Sequence, residues 1–226
     1  MPTQLPLGLS IRPRVDFNHF VIGRNGEAVS RLQGELDPFI YLWGNSGSGK
    51  SHLLQATCQQ AQSNGGQPAY LSFKSEHQLE PEMADGLEVF SLVCLDDLEV
   101  LAGKPNWELA VFNLFNMLRD KGAQLIVACD RPPGSLKLHL PDLASRLTWG
   151  PCYHLIPLND DERLELLLTS AQSRGMSMSA DTALFLLQRI PRDIHFLTIL
   201  IDRLDQASLA AQRKLTIPFV RETLKL

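Results

Sequence analysis

PFIYLWGNSGSGKSHLL, residues 38–54, is an apolar run followed by a loop of glycines and small polar residues and then by an amphipathic stretch. Gly44, Gly49, Lys50 and Ser51 fit the spacing G-x-x-x-x-G-K-[ST]. Glycines in such a loop let backbone N–H groups curl around phosphate oxygens. A lysine at the seventh position neutralises terminal phosphate charge, and the hydroxyl after it can meet Mg²⁺. The flanks support this reading. Phe39 to Trp43 is expected as a buried parallel strand, and Ser51 to Gln62 as a helix with Leu53, Leu54 and Cys58 facing inward. The candidate phosphate cradle is therefore Gly44, Asn45, Ser46, Gly47, Ser48, Gly49 and Lys50, with Ser51 on the metal side and His52 beside it.

Phe90 to Leu95, FSLVCL, is a second apolar strand, and it ends in Asp96-Asp97. Carboxylates at the tip of a buried strand are poorly solvated unless they serve a cation or polarise a water, although a pair of acids can also simply begin a turn. Asp96 is the candidate Mg²⁺ acid, and Asp97 the candidate for orienting an attacking water. Between these two halves, Pro68 to Phe73 is expected as a strand and Lys74 to Gly86 as a polar connection with a short helix around Glu80. Asn106 to Lys121 carries the helical stripe Trp107, Val111, Leu114, Phe115 and Leu118 and stops at Gly122. Gln124 to Cys129 is a further buried strand whose tip, Asp130, would face the last phosphate if that strand neighbours the one ending in Asp96. A short helix, Pro141 to Leu147, carries Arg146.

Upstream, residues 1–15 are marked by Pro2, Pro6 and Pro13 and contain the apolar hexamer QLPLGL, residues 4–9. Gln4, Leu5, Leu7 and Leu9 suit an extended peptide that docks in a preformed groove; the plainer alternative is a tail that packs on its own domain. Phe17, Phe20, Val21 and Ile22 stand just ahead of a helix expected from Gly26 to Leu36. They can enclose a base or merely cap the core. Downstream, Cys152 to Leu158 reads as the last strand, and beyond it the text is helical: Asp160 to Arg174, Ser179 to Gln188, Pro191 to about Gln212, and Pro218 to Leu224. Arg192 at the start of the third of these helices would be relieved by a phosphate or by its neighbour Asp193. The expected division is a tail (1–15), an α/β domain (16–158) and an all-helical domain (159–226).

The chain has 226 residues, 44% of them hydrophobic, and a formal net charge of −4. It is long enough to bury a substantial core. Its acidity argues against a broad electropositive footprint on DNA, so any link to DNA is expected through a partner. No run of eighteen apolar residues and no signal-peptide core is present, which makes the cytosol the expected compartment. Cys58, Cys94, Cys129 and Cys152 lack C-x-x-C spacing and read as reduced fillers, and the six histidines lack H-E-x-x-H spacing.

Apolar strands, a phosphate loop, paired strand-end acids and an all-helical C-terminal region with an arginine at a helix start resemble an AAA+ ATPase module over about residues 16–226. Within that superfamily the strings FNHFVIGRN, GNSGSGKSHLL, VCLDDL, ACDRPP and LASRLTWG are similar to the bacterial replication initiator family DnaA. After the helical region the sequence shows no helix-turn-helix DNA-binding domain of the initiator kind, and QLPLGL precedes the module. That combination is similar to the DnaA-homologous regulatory inactivators.

The resemblance implies an α/β AAA+ phosphate-loop domain, a parallel sheet covered by helices, with a C-terminal helical lid. It implies an adenine nucleotide, ADP favoured and ATP admissible, with Mg²⁺. It assigns Asp130 as the first sensor, Arg146 as an arginine finger acting in trans, Arg192 as the second sensor, and Gln4 to Leu9 as a peptide for the sliding clamp. DnaA and the clamp would be the partners, and self-association is admissible. Asp97 is one methylene shorter than the glutamate common at that position, so weak intrinsic hydrolysis is expected. A DNA-stimulated helicase or clamp-loader relative, or a scaffold stabilised by nucleotide, remains an alternative at this stage.

Overall fold

Five strands align in parallel in the order β2-β3-β4-β1-β5: β1 Phe39–Trp43, β2 Pro68–Ser72, β3 Leu92–Asp96, β4 Gln124–Cys129 and β5 Cys152–His154. The computed structural model describes residues 15–74, 80–190 and 194–225. Gln4, Leu5, Leu7, Leu9 and Arg192 therefore lie outside the described residues. The three central strands are buried on both faces, as parallel strands require, because helices cover each side. On one face lie α1 (Gly26–Gln33) and α2 (Lys50–Ser63), which enclose Ile40, Leu42, Cys94 and Ile126. On the other lie α3 (Pro105–Lys121) and α4 (Pro141–Arg146), over Tyr41, Val93, Leu95 and Val127. The stripe Trp107, Val111, Leu114, Phe115 and Leu118 is buried, and Gly122 closes α3 in the left-handed conformation.

The remaining helices, α5 (Asp160–Ser173), α6 (Ala180–Leu187), α7 (Ile194–Ala211) and α8 (Ile217–Leu224), share a separate core built on Leu167, Leu186, Leu197, Leu204 and Val220. Asn159 begins this bundle with a complete capping box to Glu162. No helix among the described residues is long and apolar enough to cross a membrane.

Several element ends differ from expectation, each for a local reason. α1 stops at Gln33 rather than Leu36, at Gly34, which lacks the side chain that favours helix. β3 starts at Leu92 rather than Phe90, because Phe90 closes a 3-10 turn on Leu87 (3.2 Å). β5 ends at His154: the Asn25 side chain donates to the Ile156 carbonyl (3.0 Å) and accepts its N–H (2.8 Å), replacing a strand partner. Cys58, Cys94 and Cys129 are buried, whereas Cys152, on the edge strand, is exposed rather than a core filler.

Candidate functional site

β1 delivers the loop 44–49 to the start of α2, so the first free N–H groups of that helix open onto the loop. Close approach explains two glycines. A Cβ on Gly44 would sit 2.4 Å from the Leu155 carbonyl oxygen, and Gly49, at φ +95°, would push one 2.6 Å from the Phe20 ring. The Lys50 ammonium is buried and donates to the Gly44 and Asn45 carbonyls (2.7 and 3.1 Å). Burial lowers its pKa, with Asp96 pulling the other way. Ser48 Oγ is buried with no partner among the described residues. A buried cation resting on loop carbonyls, an orphaned hydroxyl and glycines that admit no side chain together fit a bound phosphate.

The acids stand at the tip of β3, which is separated from β1 by β4. Asp96 is 1% exposed, and its pKa is raised by burial and by Asp97. It accepts the Tyr70 hydroxyl (2.8 Å), and the Tyr70 and Ser51 hydroxyls work against that rise. Asp97 has left-handed backbone, φ +59°. Its two carboxylate oxygens accept from Ser72 Oγ (2.9 Å) and Lys74 Nζ (2.6 Å). Lys74 also bridges to Glu99. Although burial works against its charge, these hydrogen bonds raise its pKa. Glu99 in turn accepts the Asp130 N–H (3.1 Å), tying the β3 and β4 tips together. The Asp130 carboxylate is forked by the Arg131 guanidinium (2.6 and 2.8 Å), which lowers its pKa. Glu99, Cys129 and Asp130 come close enough to suggest a metal site, but Glu99 and Asp130 are thus engaged, and burial pushes the Cys129 thiol up to about 11.

The segment ahead of α1 lies against the loop. The Phe20 ring covers Gly49 and meets the His52 ring at 5.4 Å, while His52 Nε2 donates to the Asp16 carbonyl (2.7 Å). Val21 is half-buried and Ile22 is 47% exposed, an apolar side chain without a core. Arg24 reaches the Pro157 carbonyl (2.9 Å), so this segment also touches the connection leading to α5.

Arg146 closes α4 away from the loop. Its guanidinium meets no carboxylate among the described residues, its Nε is buried without a partner, and its guanidinium carbon lies 3.9 Å from the centre of the Trp149 ring. Arg31, Arg131 and Arg174, by contrast, each grip a carboxylate.

The structure brings Lys50, Ser51, Asp96, Asp97 and Asp130 to one end of the sheet, as the adjacency of β3 and β4 requires. Tyr70, Ser72, Lys74 and Glu99, which set the surroundings of those acids, were not singled out from the sequence. Their only sequence signals are a tyrosine in an apolar strand and charges at strand ends, neither of which names a partner.

The family model described as the bacterial DnaA ATPase domain matches residues 11–153, and the one described as the Hda lid domain matches residues 160–224. Among solved structures, domain III of the Thermotoga maritima replication initiation protein DnaA aligns with TM-score 0.78 at 20% identity, covering 95% of this chain and 97% of that one. DnaA from Aquifex aeolicus, bound to AMPPCP, gives 0.73 at 23% identity, covering 95% and 70%. The Thermotoga maritima RuvB branch migration motor gives 0.68 at 17% identity, covering 95% and 72%. The structural likenesses are likenesses of fold. Because the ATPase-domain model spans well over half of the chain and the lid model nearly all of the helical remainder, this protein belongs to the DnaA ATPase-domain family, as an Hda-like, DnaA-homologous AAA+ protein.

Proposed function

We propose that this protein is a negative regulator of chromosomal replication initiation: a nucleotide-bound AAA+ module that, with the DNA-loaded sliding clamp, stimulates hydrolysis of the ATP held by the initiator DnaA. The observation that carries the reading is Arg146, a half-buried arginine at a helix end whose charge no carboxylate among the described residues neutralises. Phosphoryl transfer concentrates negative charge on γ-phosphate oxygens, and an arginine supplied by a neighbouring subunit accelerates it by roughly 10³- to 10⁵-fold in well-studied cases.

In this reading Gly44 to Lys50, with His52 at the helix start, hold the phosphates of an adenine nucleotide, ADP being favoured. Ser51 and Asp96 take Mg²⁺, and Phe20, Val21 and Ile22 border the base. Mg²⁺ bound there would offset phosphate charge. AMPPCP in the Aquifex aeolicus relative supports a nucleotide in this fold. Asp130 and Arg192 sense the phosphates. Asp97 has both oxygens occupied by Ser72 and Lys74, which accords with weak hydrolysis by the chain itself. Gln4, Leu5, Leu7 and Leu9, in the tail of residues 1–15, dock on the clamp, so that the α/β domain (16–158) and lid (159–226) act only behind a working replication fork.

The test mixes DNA-loaded clamp, ATP-loaded DnaA and this protein, and follows phosphate release. Wild type is expected to stimulate hydrolysis. Arg146→Ala should stay folded and bind nucleotide and clamp without stimulating. Deleting residues 1–10 should remove clamp binding and stimulation, with nucleotide binding kept. Full stimulation by Arg146→Ala would defeat the mechanism.

A further inference from the structure

Trp149 is 54% exposed, an unusual situation for the largest apolar side chain, and solvent is not all that it meets. α4 is followed by a tight turn in which Thr148 Oγ1 donates to the Ser145 carbonyl (2.7 Å) and the Trp149 N–H donates to the Arg146 carbonyl (3.1 Å). That turn folds the indole back beneath Arg146. The guanidinium carbon lies 3.9 Å from the Trp149 ring centre and 5.9 Å from that of Phe112. Phe115, on α3, braces the indole edge-on at 6.1 Å and 85°.

The manner of holding matters for what the arginine can still do. A carboxylate partner takes the in-plane N–H groups of a guanidinium and cancels its charge. An aromatic ring offers no carboxylate to take those N–H groups and leaves the charge intact. Long unpaired side chains otherwise lose considerable rotamer freedom when they engage a ligand, and one held against a ring has lost part of it beforehand. We infer that Trp149 is a positioning residue, a platform that presents the Arg146 guanidinium to the phosphate oxygens of a nucleoside triphosphate bound on a partner protein. The inference rests on the finger reading of Arg146 given above.

The experiment measures partner ATP hydrolysis against initiator concentration, with clamp and DNA saturating, for wild type, W149F, W149Y, W149L, R146A and R146A/W149L. W149L should lower the maximal rate about two- to fivefold, the order of a cation–π contact at an exposed site. The half-saturating initiator concentration should change by less than about twofold, because the platform acts on the transition state rather than on docking. W149F and W149Y should rescue most of the rate, since each keeps a ring. R146A/W149L should be no slower than R146A, since a platform without its arginine has nothing to hold. W149Q, which keeps the exposed site polar, replaces W149L if the leucine variant does not fold. Wild-type rates in W149L or W149Q together with an inactive R146A would overturn the platform and leave the finger standing. A loss in W149L that also appears in full on top of R146A, or that comes as weaker half-saturation with an unchanged maximal rate, would make Trp149 a docking residue instead and overturn the platform. A fully active R146A would defeat the finger reading itself.

Discussion

Glu108 is wholly buried in the first turn of α3, and no Lys, Arg or His side chain among the described residues comes within ion-pair distance of it. One carboxylate oxygen accepts the Gly103 N–H (2.9 Å) and the other accepts the Leu140 N–H (2.8 Å). Leu140 caps the N-terminus of α4, so this one side chain ties α3 to the helix that presents Arg146. Glu108→Gln keeps the volume and removes one acceptor. The amide oxygen can keep one N–H, while the amide NH₂ then faces the other, donor against donor. A buried donor left unpaired costs about 1–3 kcal/mol. Removing a desolvated charge returns part of that, and a net loss of about 2 kcal/mol is expected. For a chain of this size each kcal/mol moves Tm by roughly 2–4 °C, so the midpoint should fall by about 4–8 °C. Thermal unfolding followed by far-UV circular dichroism, on nucleotide-free protein, measures the shift. A midpoint within about 1 °C of wild type would refute the accounting, since it would mean that the two N–H groups find water or another acceptor at no cost.

Lys50→Ala should weaken Mg-nucleotide binding about 10- to 100-fold in isothermal titration, as expected for losing charge-assisted hydrogen bonds. Burial already penalises that ammonium, so the nucleotide-free variant should unfold no earlier than wild type; an earlier midpoint would make Lys50 a structural residue. Native thiol titration at pH 8 should find one group that reacts readily, Cys152, and three that react only on unfolding, because Cys58, Cys94 and Cys129 are buried and the Cys129 thiol is held up to about 11. Four equally fast thiols would contradict the burial.

The phosphate loop, the acid pair, the core stripe of α3 and the all-helical C-terminal region were legible in the sequence because each is written in consecutive residues. Spacing within a loop, the period of a helix and an apolar run are local properties that survive without knowledge of the fold. Boundaries were less legible where a distant group intervened: β5 ends at His154 because Asn25, far away in the chain, takes both backbone groups of Ile156. Only the tertiary structure decided that β3 lies between β2 and β4. That arrangement sets Tyr70 on Asp96 and both Ser72 and Lys74 on Asp97, and it lets Glu99 hold the backbone of Asp130. It also decided that Glu108 would brace α4. Whether Asp97 is free for a water, and what steadies the α4 helix under Arg146, are questions of which side chains meet across sheet and layer. Those meetings follow from packing the whole chain at once, and no short stretch of it contains them.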